Sequence, residues 1–362
     1  MSFDYIDVIT VTGSIVSNNN GDGIQINVSL DSALVQYNTI QGNNGNGIDT
    51  PGQNLTILDN LIADNHGSIY GGVRIWGGSP VFQRNTVRGN SVLDGWGGGV
   101  SFLCDSSSTN TVFTDNVIDG NYIEVGWRQG GGLYLQNCDG VTFERNWVIN
   151  NFLKDDLGTP SGGTYGGAGI FLDDSDAILI NNVIAGNRAE DNDIATGAGS
   201  GVYVVASAPT FYFNTIANNS GGGGEGIYVV HSTDVRGDPD TPGRAALYNT
   251  IIADQNVGVR VDPGMSQNLA TLDGVLWWNN GSNVIGAHFA FNEVTGDPLF
   301  VDIASRDYHI QAGSTAIDAA NSTYTVPQDV DNEPRLGSPD LGADEYWAPG
   351  ALKQVYLPLV IR

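Results

Sequence analysis

A short phrase built on asparagine returns eight times between residues 38 and 256. It reads NTIQGN at Asn38, NLIADN at Asn60, NTVRGN at Asn85, NVIDGN at Asn116, NWVINN at Asn146, NVIAGN at Asn182, NTIANN at Asn214 and NTIIAD at Asn249. Successive copies stand 22, 25, 31, 30, 36, 32 and 35 residues apart. A constant phrase at a variable interval is how a solenoid is written: each repeat is one small unit that buries its apolar face only by stacking on its neighbours.

After most copies comes a glycine pair or single glycine and then an alternating run, as in Gly71-Gly72-Val73-Arg74-Ile75, Gly98-Gly99-Val100-Ser101-Phe102, Gly131-Gly132-Leu133-Tyr134-Leu135 and Gly169-Ile170-Phe171-Leu172. Alternation with period two over four to six residues marks short strands with one buried face. Helix is disfavoured by 50 glycines, by only 14 Lys plus Arg and by the lack of any 3.6-residue apolar period. A repeat of 22 residues is also too short for a pair of helices. The expected fold is therefore all-β, a parallel β-helix of roughly ten coils with loop insertions. Coils of such a fold stack about 4.8 Å apart, so equivalent residues lie over one another. Asn38, Asn60, Asn85, Asn116, Asn146, Asn182, Asn214 and Asn249 are then expected to form a structural ladder at one turn. The variable lengths between copies become loops, the longest at 90–97, 121–130, 151–168, 187–200 and 231–245. Any recognition face is expected there.

A formal charge of −26 argues against nucleic acid and anionic lipid as partners, since both require a basic face. It leaves cations, neutral sugars and basic proteins. No apolar stretch reaches the ~20 residues needed to span a membrane. The start, Met1-Ser2-Phe3-Asp4, lacks the basic and apolar regions of a signal peptide. Richness in Asn, Gly, Ser and Thr with little Lys nevertheless looks extracellular, and suggests that a leader has been removed. Cys104 and Cys138 lie 34 residues apart, about one coil, at the same strand end. A disulfide between neighbouring coils and two buried thiols in a stack both fit that placement.

The last 80 or so residues are worded differently. Gly296-Asp297-Pro298-Leu299-Phe300, Asp307-Tyr308-His309-Ile310, Gly313-Ser314-Thr315-Ala316-Ile317-Asp318-Ala319, Asp329-Val330-Asp331-Asn332-Glu333-Pro334-Arg335 and Asp340-Leu341-Gly342-Ala343-Asp344-Glu345-Tyr346 follow in that order. This text resembles the choice-of-anchor Q region that follows right-handed parallel β-helix repeats of the pectin-lyase-like fold in secreted and surface bacterial proteins. The resemblance implies three parts: repeats over 1–290, an anchor-like region over 291–346 that continues or caps the solenoid, and a linker with an apolar tail over 347–362. It implies surface attachment, and no single reaction. The tail, Gln354-Val355-Tyr356-Leu357-Pro358-Leu359-Val360-Ile361-Arg362, reads either as a last capping strand or as an exposed strand that pairs with another copy. Open solenoid ends invite head-to-tail association into filaments.

Many proteins of this fold cut polysaccharides, so catalytic phrases matter. His66, His231, His288 and His309 lie in no Gly-His-Gly, and there is no Arg-Ile-Lys and no Trp-x-Asp-His. If the chain is a lyase or glycosidase, the paired carboxylates Asp155, Asp156, Asp173 and Asp174 are the candidates. The same carboxylates with Asp176, Asp191 and Asp193 meet on neighbouring coils if the insertions cluster, and dense oxygen ligands of that kind suit Ca²⁺. Asp329, Asp331 and Glu333, alternate residues of an extended segment, form a second candidate Ca²⁺ set. Trp76, Trp96, Trp127, Tyr122 and Tyr165 at turns offer flat rings for a glycan, and Trp277-Trp278 read as core caps. Three functions follow in order of weight: a self-associating structural or adhesive surface protein, a polysaccharide lyase or hydrolase, and a non-catalytic glycan-binding adhesin.

Overall fold

Alternating runs become strands that pair with the equivalent run one repeat away. In this computed structural model, which describes residues 2–3, 8–27, 31–125, 128–154, 166–189, 199–232 and 241–348, three parallel sheets of eleven strands each run the length of the stack. We call them A, B and C in coil order. A fourth sheet, D, of six strands joins C to the next coil's A in the middle of the stack. The seventh coil shows the pattern: Ile170–Asp173 in A, Ile178–Ile180 in B, Val183–Ala185 in C and Arg188–Ala189 in D. Ile170 pairs with Leu133 below and Val202 above, so like residues stack through the core. Phe82, Phe113 and Phe143 do the same in sheet B, with ring centroids 4.9 Å apart at each step. The fold is a parallel β-helix of eleven coils.

The two asparagines of each phrase hold the turns on either side of sheet C. Each first asparagine from Asn38 to Asn182 donates from Nδ2 to Oδ1 of the next, at 2.9–3.2 Å. A second ladder links Asn43, Asn65, Asn90, Asn121, Asn151, Asn187 and Asn219. Asn116, in the middle, also donates to the Phe82 carbonyl and accepts the Asn85 backbone N–H. Replacing Asn116 with alanine is expected to cost about 1–3 kcal/mol, because buried donors and acceptors on two coils lose their partners. Urea unfolding measures this, and an unchanged midpoint would contradict the ladder's role.

The eighth copy departs from the expected ladder. Thr215 pairs with Ile251, which puts Thr250 and not Asn249 opposite Asn214. Asn249 stands one position earlier, at φ 50°. Its amide turns outward, donating to the Asn321 carbonyl at 3.0 Å and accepting the Asn321 N–H at 2.7 Å.

At the corner between sheets A and B the two cysteines are bonded, with Cα atoms 5.0 Å apart. The stack continues as a hydrogen-bonded series, Cys138 N–H to Ser175 Oγ at 3.0 Å and Ser175 N–H to Ser207 Oγ at 2.8 Å. Of the two readings of Cys104 and Cys138, the bonded one holds.

The eleventh coil is formed by Ser282–Ile285, His288–Phe291 and Val294–Thr295. Residues 296–346 then turn back and lie along the flank of the stack, against the outer face of sheet C. Tyr308, Ile310, Ala316, Val330, Leu341 and Ala343 of this strap pack on outward residues that include Val183, Ala185, Ala217, Ile251, Ala253 and Leu276. The third position of the sheet C strands fits the location: it carries Gln41, Ala63, Arg88 and Asp119 in early coils, then an unbroken apolar run of Ile149, Ala185, Ala217 and Ala253. Asp119 meets the strap as an ion pair with Arg306 at 2.9 Å, and the apolar run beyond it lets the rest of the segment approach closely. The two ends of the stack differ. Ile9 and Val11 of the first coil are buried, whereas Val284 and Ala290 of the last are only partly so. The tail at 354–362 lies outside the described residues.

Candidate functional site

Outward positions of sheet A form a column in which consecutive coils contribute one side chain each. From Asp49 it runs through Arg74, Ser101, Tyr134, Phe171, Tyr203 and Tyr228 to Arg260. Tyr134, Phe171 and Tyr203 face outward and are nonetheless buried, stacked on one another with centroids 5.7 and 4.8 Å apart. They are packing residues. The part-buried members of the column and its flanking rings lie at their N-terminal end, over the third to fifth coils.

There the Arg74 guanidinium lies 4.6 Å from the centre of the Tyr70 ring and 4.8 Å from that of Trp76. Trp96 extends the aromatic wall, 5.8 Å from Tyr70 and 6.2 Å from Tyr134. All three of Tyr70, Trp76 and Trp96 are half-buried. Asp49 stands beside Arg74, with Oδ1 to Nη1 at 3.5 Å, too long for a good hydrogen bond. Asp49 Oδ1 and Arg74 Nε are buried without hydrogen-bond partners. Burial pushes the Asp49 carboxyl up to about 6, a shift that the Arg74 charge opposes and the Asp22 charge reinforces. Buried polar groups normally find partners, so two orphans beside three rings form a surface that lacks its complement. A sugar supplies one: hydroxyls for the carboxylate and guanidinium, and C–H faces for the rings.

The residues singled out from sequence fall in several places. Asp173 is outward on sheet A, accepting Tyr134 Oη at 2.8 Å and Gln136 Nε2 at 3.0 Å. Asp176 accepts the Ala208 N–H at 2.6 Å from the next coil. Asp174 is exposed in the turn between them, at φ 48°. These three occupy the A–B corner. Asp155, Asp156, Asp191, Asp193, Trp127 and Tyr165 lie outside the described residues.

Asp329, Asp331 and Glu333 do not point one way. Asp329 is buried and accepts the backbone N–H groups of Asp331, Glu333 and Glu345, so it builds the turn. Asp331 is outside that turn and meets His309, its Oδ2 2.9 Å from Nε2. Among the described residues, one set of three His, Cys, Asp or Glu side chains brings its ligand atoms within 4.8 Å of one another: His309, Asp331 and Asp344.

Trp76 and Trp96 belong to the ring cluster around Arg74. Tyr122 is elsewhere, on sheet D, stacked 4.7 Å over Phe152. Trp277 is a core residue of the tenth coil, its indole donating to Glu293 at 2.7 Å, whereas Trp278 faces outward. Asp49, Arg74 and Tyr70 were not singled out from sequence. Their signal was the repeat itself, since Asp49 and Arg74 are 25 residues apart, the same interval as Asn60 and Asn85.

No helix among the described residues is long and apolar enough to cross a membrane. No curated protein matches the chain. A family model described as right handed beta helix region matches residues 2–238. That match covers more than half of the sequence and agrees with the stacked parallel coils, so the chain belongs to the right-handed β-helix family.

Proposed function

We propose that this is an extracellular adhesive β-helix that binds a neutral polysaccharide on sheet A, at Asp49, Arg74, Tyr70, Trp76 and Trp96. The observation that carries the reading is the pair of buried, unpartnered polar atoms on Asp49 and Arg74 beside three half-buried rings. The net charge of −26 favours neutral over anionic glycans. The disulfide and the resemblance of residues 290–346 to an anchor region support an extracellular or surface location.

Affinity electrophoresis through gels cast with neutral and acidic polysaccharides tests this. Retardation by at least one neutral glycan is expected, weakened about tenfold or more in Trp76→Ala, as loss of a stacked aromatic at a binding centre implies. Migration unaffected by every glycan would overturn the reading. New reducing ends or unsaturated products in the same incubations would make the site that of a hydrolase or lyase instead.

A second reading, end-to-end association, is favoured by the last coil. Its strands end the three long sheets, and Ile285, Phe289 and Phe291 are exposed there at 39, 59 and 55 %. Unpaired edges with apolar neighbours recruit further strands. Sedimentation over a range of concentrations decides it: growth that Phe289→Asp abolishes supports association, and a monomer throughout removes it.

A further inference from the structure

Three phrases that the repeats do not use converge on the strap. His309 comes from the strand Asp307–Ile310, Asp331 from the turn built on Asp329, and Asp344 from the segment whose Ala343 N–H donates to the Thr215 hydroxyl of sheet C. We propose that His309, Asp331 and Asp344 bind one first-row divalent transition-metal ion, with Zn²⁺ or Mn²⁺ as the chemistry of the donors suggests.

The arrangement around the imidazole supports a ligand role. Nδ1 faces Asp307 Oδ1 at 2.5 Å, and Nε2 faces Asp331 Oδ2 at 2.9 Å. A carboxylate on the far nitrogen is the usual partner of a metal-bound histidine, fixing the ring and directing the other nitrogen at the metal. The position between Nε2 and Asp331 is then held by a proton when no metal is bound and by the metal when one is.

Asp344 is the independent observation. It is only 8 % exposed, and its Oδ2 accepts the Ile310 N–H at 2.7 Å. One of its carboxylate oxygens falls within 4.8 Å of the ligand atoms of His309 and Asp331. Three carboxylates, Asp307, Asp331 and Asp344, surround one imidazole, an excess of negative charge that a divalent cation balances. The Trp147 ring, 5.5 Å from the imidazole, walls one side with apolar surface.

One nitrogen with two carboxylate oxygens suits Zn²⁺ or Mn²⁺ better than Ca²⁺, which takes six to eight oxygens. The site would tie three strap segments together on the outer face of sheet C, whereas Asp49 and Arg74 lie on sheet A, so the two proposals fail or stand separately.

Isothermal titration of the full chain, first freed of metal with chelator, tests it with ZnCl₂, MnCl₂ and CaCl₂. The expected result is one site per chain for Zn²⁺ or Mn²⁺, weakened about tenfold or more in both Asp331→Asn and His309→Gln. Asp331→Asn keeps the backbone bond from Asp331 N–H to Asp329, so its circular dichroism and metal-free unfolding midpoint should match the parent. Absence of one-to-one uptake, uptake unchanged in Asp331→Asn, or Ca²⁺ binding as tightly as Zn²⁺ would each overturn the proposal.

Discussion

Arg335→Ala is expected to release the strap from the coils at a cost of about 3–5 kcal/mol, the range for removing one partner from a buried charged network. The Arg335 side chain is 1 % exposed. Its nitrogens donate to the carbonyls of Gln328, Asp340, Gly342 and Ala343 at 3.3, 3.1, 2.7 and 3.0 Å, and to Asn181 Oδ1 on the solenoid at 3.0 Å. Glu345 pairs with it at 3.3 Å, and the Phe213 ring lies 4.4 Å from the guanidinium carbon. One planar group thus closes a turn of the strap and fastens it to two coils.

Alanine at this position takes the guanidinium donor from the Asp340 and Gly342 carbonyls and the counter-charge from Glu345, whose carboxylate keeps only the Leu336 and Asp340 N–H groups. Lysine does not restore them, because a point charge cannot reach acceptors on several sides of a plane. The damage should be local, since the ladders from Asn38 to Asn214 run between coils and make no use of Arg335. Hydrogen exchange read by mass spectrometry should show faster exchange over 296–346 and over the sheet C face at Ala185, Ala217 and Ala253, with the inward strands still protected. Exchange raised evenly along the chain, or not at all, would contradict the strap's dependence on this arginine.

What sequence conveyed depended on whether a feature repeats. The Asn38 to Asn214 series and the alternating strands are written once per coil, and register forces each copy over the last, so the fold was legible. Asn249 misled because the phrase looks the same when shifted by one residue, and only pairing of Thr215 with Ile251 reveals the shift. Sheet D was missed because pairs such as Ser91-Val92 are too short to show a period. The strap's location was written in the unbroken apolar run Ile149, Ala185, Ala217 and Ala253, which follows the mixed series Gln41, Ala63, Arg88 and Asp119, a signal visible only after the copies are aligned. The candidate site is hardest of all: Asp49 and Arg74 form no local motif, since neighbours in space are a whole coil apart in sequence.

Asp49→Asn is expected to stabilise the protein at pH 8 by as much as about 3 kcal/mol while weakening glycan binding. Its carboxyl is raised from 3.8 to about 6, and each pKa unit between the folded and unfolded chain corresponds to about 1.4 kcal/mol. The sign follows from which state holds the proton. Between pH 3.8 and about 6 the unfolded chain has already released it and the folded chain has not, so this group's contribution falls as pH rises through that window. Above it, the folded protein carries a buried carboxylate that Arg74, at 3.5 Å, compensates only in part. Asparagine has no such ionisation, and Arg74 is open enough to water to lose its partner at small cost. The gain should therefore shrink toward nothing as the pH is lowered to 4, a trend that guanidinium unfolding of both proteins at pH 4.5, 6 and 8 will reveal. A difference independent of pH, or a less stable variant at pH 8, would remove Asp49 as the strained group. A carboxylate that costs stability and is still present has its use elsewhere, and stability rising as glycan retention falls is the signature of a residue kept for binding. If stability rises and retention is unchanged, the polar orphans at Asp49 and Arg74 are a packing defect, and the glycan must be sought on another face of the coil.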